Sequence, residues 1–141
     1  MHKVSAVIAA GGKGKRMGIR DNKVYMPLKG QPVLSRTLTV FEACRLIDEI
    51  IVVVPQDEKD LCIRRVIGPL GIAKTVKITA GGKERQDSVR CGLREISANC
   101  DFVVVHDGAR PLLTSALLEA VIREAFSWGA AIAAVPVKDT I

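Results

Sequence analysis

Short apolar runs alternate with longer amphipathic stretches along this chain. The runs are rich in Val, Ile and Ala with little polar alternation, which is typical of strands covered on both faces of a sheet. They predict strands at Val4–Ala9, Glu49–Val54, Val76–Thr79, Phe102–His106 and Ala131–Val137. The amphipathic stretches predict helices at Pro32–Arg45, Asp57–Ile67, Arg85–Ser97 and Ser115–Trp128. Thr114 or Ser115 is the expected N-cap of the last helix, and Gly129 its expected stop.

This alternation predicts a single α/β domain over residues 1–141, built on a right-handed, mainly parallel sheet with helices on both faces. Ligands of such sheets bind at the carboxyl ends of the strands. Three unusual segments follow predicted strands: "AAGGKGKRMG" the first, "AGGKERQDS" the third and "HDGARP" the fourth. We therefore expect these segments to converge on one edge of the sheet.

Composition narrows the class of protein. The chain is 48% hydrophobic and 26% charged, like an ordinary globular protein. Its apolar runs are far shorter than the ~20 residues of a membrane-spanning helix, and its N-terminus lacks the apolar core of a secretion signal. We expect a cytoplasmic protein without a membrane partner. The four cysteines, at positions 44, 62, 91 and 100, are widely spaced and predict reduced thiols rather than a zinc site or disulfides.

The formal net charge of +6 raises the possibility of a nucleic-acid partner. Nucleic-acid binders usually concentrate basic residues on one patch and add aromatic residues for stacking. Here the basic residues are scattered and aromatic residues are few. The one dense basic cluster surrounds the first glycine turn and comprises Lys13, Lys15, Arg16, Arg20 and Lys23. This placement favours a phosphorylated small molecule over a nucleic acid.

The glycine turn itself matches neither common phosphate loop. A dinucleotide fingerprint starting at Gly12 would need glycine where Met17 stands, and a P-loop would need Ser or Thr where Arg16 stands. Its backbone N–H groups could still form an anion nest. The alternative is an ordinary strand–helix turn with solvated basic side chains. Lys23, taken alone, reads as an exposed lysine near a turn.

The two later segments each allow two interpretations. Arg85 and Ser88 are expected near the N-terminal end of a helix, where donors suit an anion or a base edge, unless this is only a capped surface helix. Asp107 follows the end of a hydrophobic strand and is a natural Mg²⁺ ligand beside phosphates. Alternatively, Asp107 pairs with Arg110 and merely closes the turn. His106 is expected to be a partly buried, hydrogen-bonded histidine.

Together, these residues resemble the 2-C-methyl-D-erythritol 4-phosphate cytidylyltransferases of the non-mevalonate isoprenoid pathway. The matching segments occur in the family's order: "AAGGKGKRM", "NKVYM" where the family has P-K-Q-Y/F-L, "GGKERQDSV" followed by "GL", "HDGARP" and "PVKDT". The resemblance implies a Rossmann-like sheet of the nucleotide-diphospho-sugar transferase type. It also implies a reaction in which CTP and methylerythritol phosphate give the CDP-alcohol and pyrophosphate, with Mg²⁺.

The resemblance assigns a role to each matching residue. Arg16 and Lys23 correspond to the pair that stabilises charge at the α-phosphorus of CTP, and Asp107 corresponds to the metal ligand. Nucleotide-binding positions are the loop residues Ala9, Ala10, Gly11, Gly12 and Gly14, together with Gly82, Arg85 and Ser88 near cytosine. The positions near the methylerythritol phosphate are Arg110 and Thr140.

This chain also departs from the family pattern. Asn22, Val24 and Met26 replace proline, glutamine and leucine, so the loop that carries Lys23 is expected to be held differently. Gly108 replaces the usual alanine. Family members continue beyond the "DT" motif into a dimerisation arm, so the resemblance implies an N-terminal portion, with a homodimer expected for the complete enzyme.

Two alternatives remain open from the sequence. A ribitol-5-phosphate cytidylyltransferase shares the glycine loop, the lysine and the aspartate motif, although the "SV..GL" helix and "PVKDT" favour the methylerythritol enzyme. A catalytically incomplete nucleotide-binding or nucleic-acid-binding domain is the alternative from another class.

Overall fold

The structure, a computed structural model, describes residues 1–12 and 22–139. Of the predicted site residues, Gly14, Arg16 and Thr140 lie outside these ranges. The strands, in chain order, are β1 (Val4–Ala9), β2 (Pro27–Leu28), β3 (Gln31–Pro32), β4 (Glu49–Val54), β5 (Thr75–Ala80) and β6 (Phe102–Asp107). The helices are α1 (Val33–Ala43), α2 (Lys59–Cys62), α3 (Gly68–Leu70), α4 (Arg85–Arg94) and α5 (Ser115–Trp128). A π-helical stretch, Ile63–Ile67, joins α2 to α3, and single helical turns occupy Lys23–Tyr25 and Gln56–Glu58.

The central sheet contains four parallel strands in the order β5-β4-β1-β6. Every residue of β4 is buried, as the near-continuous apolar run predicted. In the register of the sheet, Ala9 at the end of β1 lies between Val53 of β4 and Asp107 of β6. The predicted parallel α/β sheet is confirmed, and its carboxyl edge brings the glycine turn beside the aspartate.

Helices cover both faces of this sheet. On one face, Leu34, Leu38 and Phe41 of α1 pack in one core with alternate strand residues such as Ile8 and Val52. This core also receives Leu118 and Ile122 of α5 and Cys62 and Val66 of the α2–α3 segment.

On the opposite face, α4 covers Val7 and Val53. Here Gly92 permits close approach, because a Cβ at this position would collide with the Val7 side chain. The helix therefore lies directly on the two central strands. Since α4 begins at the carboxyl edge, this contact fixes where its first turn stands.

Helix ends follow local chemistry. Thr114 caps α5, accepting a hydrogen bond from the Leu117 N–H at 3.2 Å, and Gly129 ends the helix with a φ of 86°. Both predicted signals are confirmed. At the end of α1, the Lys74 ammonium donates to the carbonyls of Phe41, Glu42 and Cys44, which satisfies acceptors that the helix leaves open.

One predicted strand is wrong. Residues 131–137 form no strand, and Ile132, Val135 and Val137 are 85–93% exposed. Their β-branched composition suits a strand, but a strand forms only where a neighbour completes its hydrogen bonds, and none does so within the described ranges. The sequence also failed to indicate the β2–β3 hairpin. Its turn places both Lys29 and Gly30 at positive φ, 50° and 80°, and lysine is not a typical residue for such a turn. None of the described helices is long and apolar enough to cross a membrane.

Candidate functional site

A cleft of about 310 Å³ opens at the carboxyl edge of the sheet. Every predicted site residue within the described ranges lines it: Ala9, Ala10, Gly11, Gly12, Lys23, Gly82, Arg85, Ser88, Asp107 and Arg110. These residues come from four separate segments of the chain. The segments thus converge on one edge of the sheet, as the parallel topology predicted. Gly14, Arg16 and Thr140 lie outside the residues that the structure describes.

Backbone hydrogen bonds to both neighbouring strands fix the point at which the glycine loop leaves β1. The Ala10 N–H donates to the Val53 carbonyl at 2.8 Å, which extends the β1–β4 ladder by one residue. On the other side, the Gly108 N–H donates to the Ala9 carbonyl at 2.8 Å. The floor of the cleft is thus a continuation of the sheet, and the loop starts from a fixed point.

The second wall is the turn that leads from β5 into α4. The Gly81 N–H donates to the Val54 carbonyl at 2.8 Å, and the Asp87 carboxylate accepts from the Glu84 N–H at 3.1 Å. Gly82 lies between these anchors, and a Cβ at this position would collide with the Asp87 side chain. Ser88, on the first turn of α4, is buried against the cleft. A helix N-terminus with a hydroxyl and a guanidinium suits an acceptor-rich ligand.

Asp107 is held by two guanidinium groups. Arg85 approaches its Oδ1 with Nη2 at 2.9 Å and Nε at 3.0 Å, and Arg110 approaches its Oδ2 with Nε at 3.1 Å. The pairing with Arg110 was one of the two interpretations of the sequence, and the Arg110 N–H also donates to the Asp107 carbonyl. Arg85 was not expected as a partner. Two cations on one carboxylate leave a local excess of positive charge that favours an anionic ligand.

Lys23 projects from the helical turn Lys23–Tyr25, and its exposed side chain lines the cleft. Its two successors, Val24 and Tyr25, are buried. The Arg65 guanidinium lies over the Tyr25 ring, 5.8 Å from its centroid. The backbone of the lysine is therefore fixed by packing, while its side chain is exposed at the cleft.

Several lining residues were not singled out from the sequence. Lys83 and Glu84 belong to the "GGKERQDS" segment and line the cleft. They could have been predicted, because they lie between Gly82 and Arg85, which were. Val24 and Ala109 complete the wall. His106 is half-buried, as predicted, with its Nε2 lying 3.1 Å from the Arg110 carbonyl.

The charge of the lining suits a polyanion. Four basic side chains, those of Lys23, Lys83, Arg85 and Arg110, face two carboxylates, those of Glu84 and Asp107. Within residues 1–12 and 22–139, no group of three His, Cys, Asp or Glu side chains could hold a metal ion. A cation in this cleft would therefore need ligand oxygens in addition to the protein's carboxylates.

Comparison with known proteins gives the cleft a context. The sequence model of IspD, 2-C-methyl-D-erythritol 4-phosphate cytidylyltransferase, matches residues 4–141. The chain belongs to this family. An IspD-family relative, the 2-C-methyl-D-erythritol 4-phosphate cytidylyltransferase of Alkaliphilus metalliredigens, is 48% identical over 139 residues, which cover 99% of this chain and 58% of the relative. The protein of the same name from Syntrophotalea carbinolica is 50% identical over 139 residues, covering 98% of this chain and 60% of the relative.

A solved structure supports the same family fold. The crystal structure of a 4-diphosphocytidyl-2C-methyl-D-erythritol synthase superposes with a TM-score of 0.77 and 30% identity, covering 100% of this chain and 63% of that one. The nucleotide-diphospho-sugar transferase type of sheet expected from the sequence is thereby confirmed. This chain spans about 60% of the length of the curated IspD relatives named above.

Proposed function

We propose that the protein to which this chain belongs transfers a cytidylyl group from CTP to 2-C-methyl-D-erythritol 4-phosphate, giving CDP-methylerythritol and pyrophosphate. The observation that carries the proposal is the single cleft in which a glycine loop, four basic side chains and a strand-end aspartate meet. Membership of the IspD family supports the identity of both substrates.

The chemistry asks little of the protein beyond position and charge. A phosphate oxygen of the polyol phosphate forms a bond to the α-phosphorus of CTP, and the bond from that phosphorus to the β-phosphate oxygen breaks. The nucleophile is largely dianionic at neutral pH because its second pKa is ~6. No general base is required. Catalysis then rests on holding the reactants in line and stabilising negative charge.

The cleft residues divide this work in our proposal. Lys23, together with Arg16, stabilises charge developing at the α-phosphate. The loop from Ala9 to Gly14 wraps the nucleotide, and its phosphates meet backbone N–H groups beyond Ala10, whose own N–H is bonded to Val53. Gly82 and Ser88 read the cytosine from the α4 side, with Arg85 close by. Arg110 and Thr140 serve the methylerythritol phosphate.

Mg²⁺ is the cofactor that this donor set fits. Mg²⁺ takes one or two carboxylates from a protein and its other oxygens from phosphates and water, and Asp107 offers a carboxylate at the strand end. When bound, the ion would neutralise charge on the nucleotide phosphates. In our proposal Asp107 would hold the ion, and Arg85 and Arg110, which pair with Asp107 in the structure, would lie where they could meet oxygens of the bound phosphates.

The 141 residues cover 58% of the length of the Alkaliphilus metalliredigens relative, so we make a separate proposal for these residues alone. We expect the chain to bind CTP but to turn over slowly or not at all, as a catalytically incomplete nucleotide-binding domain. The homodimer of the complete enzyme and its cytoplasmic location stay predictions. Ribitol-5-phosphate remains the alternative acceptor for the complete enzyme.

A thermal-shift panel of CTP, UTP, ATP and GTP, each with and without Mg²⁺, tests the nucleotide part of the proposal. We expect CTP with Mg²⁺ to raise the Tm most. Equal shifts for all four nucleotides would contradict the assignment of the α4 side to cytosine. Tight binding of RNA with a steep salt dependence, and no CTP shift, would favour the nucleic-acid-binding alternative. Turnover of the complete enzyme with methylerythritol phosphate and with ribitol-5-phosphate separates the two acceptors.

A further inference from the structure

Asn22 is a buried polar residue next to Lys23, and it is only 2% exposed. Its Nδ2 donates two hydrogen bonds, to the Ala10 carbonyl at 2.6 Å and to the Glu58 Oε2 at 3.0 Å. Its Oδ1 accepts from the Val24 N–H at 3.3 Å. Both N–H groups of the amide therefore donate a hydrogen bond, and its carbonyl oxygen accepts one, so no donor of the side chain is left unused.

The three contacts join three separate parts of the cleft. Ala10 is the first residue after β1 and opens the glycine loop. Glu58 ends the helical turn that follows β4, and Val24 belongs to the turn that carries Lys23. One side chain thus fixes the lysine turn to the point where the glycine loop leaves the sheet.

The family pattern has proline at this position. The φ of Asn22, −63°, is one that proline also adopts. Proline has no side-chain amide and could give nothing to Ala10 or Glu58. The cross-link is therefore a property of the asparagine rather than of the turn.

We propose that Asn22 is a positioning residue for Lys23, with Glu58 as the acceptor that orients its amide. The proposal rests on the proposed function, because it takes Lys23 as a contact of the bound nucleotide. The amide holds the lysine turn at a set distance from the glycine loop, so that the ammonium and the loop N–H groups reach the same phosphates.

The surroundings of Glu58 make this contact directional. The Tyr25 hydroxyl is buried near Glu58 and Cys62, and burial keeps both the phenol and the thiol protonated. Asn22 meets Glu58 as a donor through its Nδ2. An aspartate at position 22 would place acceptor oxygens against Glu58 and against the Ala10 carbonyl, in place of the two donated hydrogen bonds.

The test uses the affinity of the chain for CTP with Mg²⁺, measured by calorimetry, beside urea unfolding. Asn22→Asp is expected to weaken binding about tenfold, the scale of one hydrogen bond to a charged group. Glu58→Gln keeps an acceptor for Asn22 and should stay within about twofold, a small fraction of that energy. The double variant, Asn22→Asp with Glu58→Gln, restores a donor–acceptor pair of reversed direction at position 58 but not the bond to the Ala10 carbonyl, so it should recover only part of the affinity. Asp57→Asn, on the exposed neighbouring carboxylate, is the matched control.

A second background separates positioning from stability. In a Lys23→Ala chain, Asn22→Asp should change CTP affinity by less than about twofold, because the residue through which it acts is gone. An equal loss in both backgrounds would mean that Asn22 supports only the fold, which overturns the proposal. If Asn22→Asp fails to fold, Glu58→Ala, which removes the acceptor alone, takes its place in the same cycle.

The outcome also distinguishes this inference from the proposed function. A wild-type chain that binds no CTP refutes the proposed function and this inference with it. A wild-type chain that binds CTP, with unchanged affinity in Asn22→Asp, refutes only the inference.

Discussion

Glu49 is the charged residue whose replacement should cost the fold most. It stands at the start of β4, at the opposite end of the sheet from the cleft, and it is buried. Its Oε1 accepts from the Ser5 hydroxyl at 2.5 Å and the Ser97 N–H at 2.7 Å, and its Oε2 accepts from the Ser97 hydroxyl at 2.8 Å. The Lys77 ammonium lies 3.8 Å away. This carboxylate ties β1, β4 and β5 to the chain segment that follows α4.

The expected cost follows from these contacts. Glu49→Ala leaves the donors of Ser5 and Ser97 without their acceptor, and each buried donor left unsatisfied costs about 1–3 kcal/mol. That is a large share of a total stability of roughly 5–15 kcal/mol. Glu49→Gln keeps the shape, removes the charge and replaces one acceptor oxygen with an NH₂ group, so we expect about 1–2 kcal/mol.

The pH dependence has a definite sign. Burial alone would raise the pKa of Glu49, but the hydrogen bonds from Ser5 and Ser97 and the charge of Lys77 outweigh it and lower the pKa below 4.5. A lowered folded-state pKa adds stability above the unfolded value, and this stability is lost as the pH falls through the folded value. The difference between wild type and Glu49→Gln should therefore be full at neutral pH and shrink as the pH falls below about 4.5.

Urea unfolding followed by far-UV circular dichroism is the appropriate assay. Trp128, the one tryptophan of the chain, is 81% exposed, so its fluorescence would report poorly on unfolding. Glu124→Gln, the same change on an exposed residue of α5, is the control and should stay within about 0.5 kcal/mol. A Glu49→Gln chain as stable as this control at every pH would refute the reasoning.

Three further predictions concern the cleft and its supports. Lys23→Ala in the complete enzyme should lower kcat by about 10²–10³ with little change in urea midpoint; near-normal turnover would rule out its role in charge stabilisation. Gly82→Ala should cost about 1–3 kcal/mol in urea unfolding, because its methyl group meets Asp87. Gly11→Ala, whose methyl group would lie an ordinary 3.8 Å from the Ser88 Oγ, should not, and equal losses would contradict the steric argument. Thr114→Ala should cost about 1 kcal/mol through the lost cap of α5, and an unchanged urea midpoint would show that the cap contributes nothing.

The sequence predicted what is encoded locally. β1, β4 and α5 begin and end where the apolar patterns indicated, and β5 and β6 do so within one residue at each end. Local patterns carry no information about partners, however. Residues 131–137 have strand composition, but no described neighbour completes a ladder with them.

The same limit applies to the cleft. Its lining residues were predictable because parallel topology places strand ends together. The ion pair between Arg85 and Asp107 joins residues 22 positions apart, and the bond from Asn22 to Glu58 spans 36. Neither pairing has a local signal. From the sequence alone, Arg85 is therefore predicted to contact a ligand, and Asn22 is noticed only because it replaces the proline of the family pattern.

Gly92 has a consequence for how this site can change in evolution. At this glycine, α4 rests directly on Val7 and Val53. These two core valines therefore determine where Ser88 and Arg85, on the first turn of the helix, are placed. A larger or smaller side chain at either valine would tilt the helix and move both groups together. Selection for a different ligand could thus act on Val7 and Val53, which do not line the cleft. Mutations of Ser88 or Arg85 would change one contact at a time and leave the position of the helix unchanged.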